Sequence, residues 1–198
     1  MTPNDAARWL DPLPAAFTFS QARDLGTPIR SLYALRDAGL IERLGRGLYS
    51  RADADAPDLT LLAAATRAPR ATLCLRSALA RHGLTDDIPA TYDLALPRGT
   101  RLPALAEPIS WHQFAPETFD LGREPLPLTD ETSLGIYTVE RCIVDAFRLR
   151  RLEGPELGNE VLRRWLTRRG SQPARLLELA NHFPRASTPL RHSLEVLL

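Results

Sequence analysis

Lysine does not occur in this chain, and all 25 of its basic residues are arginine. A nuclease of the PD-(D/E)xK pattern would place a lysine beside its metal-binding acids, and that pattern is excluded. Abundant Ala, Leu and Pro accompany the arginines, as in proteins from GC-rich genomes, so only the positions of the arginines carry information. Cysteine is nearly absent as well. Cys74 and Cys142 stand far apart with no CxxC companion, which excludes a disulfide framework and a zinc ribbon and fits buried, reduced thiols in the cytoplasm. His82, His112, His182 and His192 form no HxxH or HExxH pair, so no metal is expected. No apolar run approaches the roughly 20 residues that span a bilayer. Met1 to Asp11 has neither the basic start nor the apolar core of a secretion signal.

What is present is the composition of a globular protein, with 198 residues, 44% apolar and 25% charged. The net charge of +1 rules out a chain that coats nucleic acid with charge along its whole length. Its distribution is uneven. Residues 1–51 hold seven arginines against five acids, 52–137 hold seven against twelve, and 138–198 hold eleven against seven. Two basic ends flank an acidic middle, and contact with an anionic partner is expected at the ends.

The first fifty residues read as helix, helix, helix, hairpin. A short amphipathic start over 4–10 is closed by "DPLP", where two prolines break any helix. Thr18 or Ser20 can cap a helix through Leu25, ended by Gly26. Thr27 is placed to cap the next helix, with Pro28 in its first turn and Gly39 at its end. "LIERL" and "LYSR" then form two short strands about Gly45-Arg46-Gly47. The tract "ADADAPD" at 52–58 reads as a linker. Beyond it come a helix in "LTLLAAATRA", a strand in "ATLCL", a helix in "RSALARHG", strands in "TYDLALP" and "ISWHQF", and weaker strands in "EPLPLTD" and "GIYT". From Thr138 the pattern is helical to the end.

On a 3.6-residue wheel, Ile29, Leu32 and Leu35 share one face of the helix that follows Thr27. Thr27, Arg30, Ala34, Asp37 and Ala38 lie opposite, Ser31 and Tyr33 flank them, and Arg36 snorkels at the edge of the apolar stripe. An outward face of small and polar residues led by Arg30 suits close approach to a DNA groove. There an arginine can meet guanine bidentately, and Thr27 and Ser31 can meet phosphate or base edges. Two glycines allow a tight hairpin whose tip, Arg46, can reach a phosphate or a minor groove. Arg43, Tyr49 and Arg51 form the supporting strand face. Together with Tyr33, these residues describe a winged helix-turn-helix.

The succession "FTFSQARDLGTPIRSLYALRDAGLIERLGRGLYS" resembles the N-terminal winged helix of AbiEi-type antitoxins. "LCLRSALARHGL", "IYTVERCIVDAFRLRRL" and the helical C-terminus extend the likeness along the chain. The resemblance implies the antitoxin of a type IV toxin–antitoxin or abortive-infection system. Its N-terminal domain would bind inverted repeats of double-stranded DNA in its own promoter and repress it. Its C-terminal domain would oppose a nucleotidyltransferase-like toxin, without a stable complex necessarily forming.

The fold expected is α+β: a winged helix-turn-helix over 1–51, then a second domain over 58–198, mixed α/β to about 137 and helical from 138. "TVERCIVDAFRLRRL" puts Val139, Ile143, Ala146 and Phe147 on an apolar face, and Arg141, Asp145 and Arg148 at pairing distances on a face read as solvated. Arg148, Arg150, Arg151, Arg163, Arg164, Arg168 and Arg169 give a secondary basic surface for DNA, RNA or a partner. The function expected is sequence-specific DNA binding. The alternatives are a protein-interaction module and a solitary regulator without a toxin partner.

No cofactor or catalytic residue is expected. Gly170-Ser171 is followed by "QPARLLE", which lacks the carboxylate pair of a nucleotidyltransferase, and no GxSxG elbow or glycine-rich nucleotide loop occurs. Purified protein incubated with labelled DNA, tRNA or nucleotides and magnesium or manganese should therefore show no turnover. Turnover that copurifies and vanishes on substituting Asp86, Asp87, Asp93 or Glu107 would overturn that expectation.

Overall fold

The computed structural model describes residues 8–45, 47–53, 58–105, 108–129 and 132–198. It is α+β. Two compact units are formed, one from Met1–Ala71 with Arg101–Pro108 and Pro125–Leu134, the other from Thr72–Thr100, Ile109–Glu124 and Gly135–Leu198. No described helix is long and apolar enough to cross a membrane.

The first unit opens with a helical turn at residues 8–10; the rest of the helix read over 4–10 lies outside the described residues. Strand β1 (Ala16–Thr18) then leads directly into helix α1 (Phe19–Asp24). The junction is a capping box. Thr18 Oγ1 accepts from the Gln21 amide at 3.2 Å, and Gln21 Oε1 accepts from the Thr18 amide at 2.7 Å. Gly26, at φ +84°, turns the chain toward helix α2 (Ile29–Asp37). Strands β2 (Ile41–Gly45) and β3 (Leu48–Arg51) complete an antiparallel sheet in the order β1-β3-β2.

Strand β1 was not read from the sequence. Three residues are too few to show an alternating pattern, and pairing with β3 is what makes them a strand. The core gathers Leu13, Phe17, Ala22, Leu32, Leu35, Ile41 and Tyr49, with Phe17 and Tyr49 stacked across the β1–β3 pair at 5.9 Å. Helix α3 (Leu59–Arg67), capped by Asp58, packs on β1 and β3. Most of the linker expected at 52–58 lies outside the described residues.

A five-stranded sheet runs in the order β6-β5-β4-β8-β7, from β4 (Thr72–Leu73), β5 (Tyr92–Pro97), β6 (Ile109–Phe114), β7 (Arg123–Pro127) and β8 (Ser133–Tyr137), and the second unit holds β4, β5, β6 and parts of β7 and β8. The sheet is mixed: β4 runs antiparallel to β5 but parallel to β8, and β5 runs parallel to β6. Helix α4 (Leu75–Arg81) follows β4 and packs on β5, and the short α5 (Pro116–Phe119) follows β6. After β8 the chain is helical, with α6 (Val139–Arg148), α7 (Arg150–Glu153), α8 (Pro155–Leu166), α9 (Pro173–Ala180) and α10 (Pro184–Leu197). Thr138 caps α6, and five of the other helices contact it: α4, α7, α8, α9 and α10.

Helix α6 corrects the sequence reading. Arg141, Asp145 and Arg148 do not form a solvated face. Arg141 is 0% and Asp145 1% exposed, and every residue from Arg141 to Phe147 is buried. The wheel identified the apolar stripe but could not show that α4, α8, α9 and α10 enclose the helix, so its polar side also faces protein.

The buried polar groups are largely paired. Arg141 Nε donates to Asp145 Oδ2 at 3.1 Å, and its Nη1 donates to the Thr118 carbonyl at 2.7 Å and to that of Leu121. Its guanidinium lies 4.2 Å from the Tyr137 ring centre and 4.4 Å from that of Phe183. Arg148 Nε donates to the second Asp145 oxygen at 2.9 Å. Gly122, at φ +67°, allows the close approach, because a Cβ there would come within 2.8 Å of Arg141 Cβ.

Cys74 and Cys142 are free and buried, and burial pushes both thiols well above the ordinary value. Removing Asp145 would strand two guanidiniums in the interior. We expect Asp145→Ala to destabilise the protein by about 3–5 kcal/mol in urea unfolding, against a change within about 0.5 kcal/mol for exposed Arg163→Ala.

Candidate nucleic-acid interface

The capping box fixes the start of α1, Gly26 fixes the turn after it, and α2 then rests on the core through Leu32 and Leu35. The buried side of α2 is centred on Ser31, Leu32 and Leu35. Its outer side presents Ile29 (51% exposed), Arg30, Tyr33 (46% exposed), Arg36 and Asp37. Arg36 stacks over the Tyr33 ring at 5.1 Å and binds Asp37 at 2.7 Å, and that carboxylate holds the guanidinium above its ordinary pKa. Arg30 makes no ion pair among the described residues and stands free on the exposed first turn, where helix amides and dipole also favour an anion.

The outward face therefore differs from the wheel. Ile29 was expected inside and is outside; Thr27 and Ser31 were expected at the DNA face and are 4% and 9% exposed. Thr27 does not cap the helix. Pro28 is the N-cap and makes no side-chain bond, while the Thr27 amide donates to the Ala22 carbonyl at 2.9 Å, drawing Thr27 under the turn. The helix rotates because a small Ser31 and two leucines fit the core more closely than a β-branched Ile29 at the helix start. Ile29 is the exposed residue that the sequence reading missed, while Arg36, read as snorkelling at the edge, is exposed. The stripe that defined the wheel was short, with only Ile29, Leu32 and Leu35 to set its azimuth.

The hairpin follows the expected path. Phe19's amide donates to the Gly47 carbonyl at 2.9 Å, tying the hairpin to the start of α1. Arg43 is exposed and its Nε donates to the Gly45 carbonyl at 3.0 Å, next to a register shift between Arg43 and Gly45. Arg46 lies outside the described residues. Tyr49 and Arg51 serve the fold instead of the surface. Tyr49 is 6% exposed and stacked on Phe17. Arg51 grips Asp53 through Nε at 2.8 Å and Nη2 at 2.7 Å, and its Nη1 donates to the Leu10 and Leu13 carbonyls. The same bonds hold the Asp53 carboxyl below its usual range. Arg30, Tyr33 and Arg43 are thus the expected contact residues that the structure leaves accessible.

In the second unit the expected basic surface divides. Arg164 is paired with Asp86 at 2.8 Å and Glu160 at 3.0 Å, and Arg168 donates to the Gly83 carbonyl, while Arg163 and Arg169 are exposed. Arg148, Arg150 and Arg151 gather elsewhere, around a cleft that also takes Arg98 and Arg185. No spacing in the sequence joins Arg98, His112 and Arg185 to that group, since they come from separate elements. Among the described residues, no three His, Cys, Asp or Glu side chains gather as a metal site.

Residues 16–52, which run from β1 to the end of the hairpin, match the family model described as "Transcriptional regulator, AbiEi antitoxin". No curated protein matches the sequence. Among solved structures, the chain is similar to the RV2827C protein from Mycobacterium tuberculosis, with 20% identity and a TM-score of 0.60. The match covers 100% of this chain and 82% of that one. At that identity the likeness is one of fold.

Proposed function

We propose that the protein is a sequence-specific DNA-binding repressor that acts as the antitoxin of a type IV toxin–antitoxin system. One observation supports this most: a helix-turn-helix and hairpin, matched over residues 16–52 to the antitoxin regulators, turn Arg30, Ile29 and Tyr33 outward on α2. A helix whose exposed face begins with an unpaired arginine can enter a major groove N-terminus first. There the Arg30 fork suits the O6 and N7 of guanine, Ile29 suits a thymine methyl, and Tyr33 suits a phosphate. Asp37 would repel the backbone, but its pairing with Arg36 offsets that charge. Arg43, and Arg46 between Gly45 and Gly47 in the sequence, would meet the flanking phosphates. The DNA would be inverted repeats in the protein's own promoter, and a nucleotidyltransferase-like toxin the partner opposed by the second unit. The protein would act in the cytoplasm, without catalysis.

Binding of the full chain to duplexes from its own upstream region, measured by fluorescence anisotropy, tests the reading. Arg30→Ala should weaken specific binding by about 1–3 kcal/mol and relax base preference at one position. Arg43→Ala and Arg46→Ala should weaken all duplexes alike, and each should reduce the salt slope by about one if it neutralises one phosphate. Ser31→Ala, at a buried position, should leave base preference unchanged. Equal affinity of the unaltered protein for upstream and scrambled duplexes would refute sequence-specific recognition.

A further inference from the structure

The second unit contains a cleft of about 540 Å³ lined by Arg98, His112, Arg148, His182 and Arg185 with Phe114, Phe183, Leu149 and Leu152 among its apolar walls. A second cavity of about 460 Å³ shares Arg148, Leu149, Leu152 and Arg185 with it and adds Arg150 and Arg151. Five arginines therefore line these two adjoining cavities, and among the described residues no aspartate or glutamate lines either. Arg98, Arg150, Arg151 and Arg185 are exposed and make no ion pair among the described residues.

The charge beneath the cleft adds to this excess. Arg141 and Arg148 share a single carboxylate, Asp145, so the buried cluster carries one positive charge more than it neutralises. Arg148 is only 17% exposed and is fixed by Asp145 and by the Phe114 ring 4.5 Å from its guanidinium, so its charge cannot swing away into water. Helix α10, 14 residues long, begins in the same wall at Pro184 and Arg185. Its first turn carries no acid and its N-cap makes no side-chain bond. Its dipole points the same way as the arginines, toward an anion. His112 is tied to Asp93 at 2.9 Å, which spends that carboxylate on a side chain already in the wall.

A surface arginine cluster is ordinarily diluted by acids; here none is interposed, and a low-dielectric apolar wall concentrates the field. Arginine forks match phosphate oxygens in pairs. Inorganic phosphate alone would leave most of the volume and the wall of Leu149, Leu152 and Phe183 unused, whereas cavities of this size hold small organic ligands. We propose that the cleft binds a nucleoside polyphosphate, its phosphates running along Arg98, Arg148 and Arg185 toward Arg150 and Arg151, and its nucleoside against Leu149, Leu152 and His182. The site lies wholly within the second unit and does not depend on the DNA-binding reading.

The test uses the full-length protein without DNA, at physiological salt, with calorimetric titration of ATP, GTP, CTP and UTP. At least one triphosphate should bind saturably at a single site, adenosine should not bind, and inorganic phosphate should bind at least tenfold more weakly. Combined Arg98→Ser and Arg185→Ser substitution should weaken the triphosphate at least tenfold while leaving the melting temperature unchanged, since neither side chain bonds to the fold. Arg163→Ser should leave binding as it was. Four outcomes would overturn the proposal: no triphosphate binding at millimolar concentration, phosphate binding as well as the triphosphates, binding undiminished in the double variant, or a non-specific DNA duplex that the double substitution weakens as much as it weakens the triphosphate. The last would assign the cleft to a nucleic-acid backbone instead. A failed Arg30 experiment would leave all these outcomes unaltered.

Discussion

Asp145 holds two guanidiniums inside the second unit, and much of that unit is arranged around this constraint. A carboxylate with 1% exposure is tolerable only where both oxygens are satisfied, and Arg141 and Arg148 satisfy one each. Arg141 then reaches outside its helix to the carbonyls of Thr118 and Leu121, so the segment after β6 is pinned to α6. The rings of Tyr137 and Phe183 cover its faces, which ties in the end of β8 and the approach to α10. Hydrophobic burial supplies most of the stability, but it is not directional; the bonds of Arg141 specify which loop meets which helix. The same arrangement leaves Arg148 as a fixed cation in the wall of a cleft.

The first unit is organised by a smaller device. The Thr18–Gln21 capping box sets where α1 begins, and the Gly26 turn sets where α2 emerges. Leu32, Leu35 and Ser31 seat α2 against the sheet, and that seating determines the azimuth at which Arg30 and Tyr33 leave the surface. Arg51, by bonding the carbonyls of Leu10 and Leu13, anchors the chain that precedes β1. An arginine that reads as a DNA contact is in this way part of the frame that holds the contacts.

Features governed by neighbours in sequence were legible. The helices after Thr18 and Thr138, the hairpin about Gly47, and the strands at Tyr92 and Ile109 each carry a cap, a turn residue or an alternating pattern within a few positions. Features governed by distant partners were not. Strand β1 exists because of β3, the burial of Arg141 and Asp145 depends on the helices around α6, and the cleft joins Arg98 to Arg185 across most of the second unit. The rotation of α2 falls between these cases. Its period was correct, but with only Ile29, Leu32 and Leu35 to define a stripe, the azimuth was settled by Ser31 fitting the core and by Thr27 being drawn beneath the turn.

The central claim is that the outer face of α2 and the hairpin meet DNA. Amide chemical-shift mapping of the full-length protein, titrated with duplex from its own upstream region, addresses it residue by residue. The account predicts shifts concentrated at residues 29–37 and 43–48, with Leu32 and Leu35 perturbed less than Arg30 and Tyr33. Shifts confined to the second unit, or shifts of the same size and position with a scrambled duplex, would contradict it.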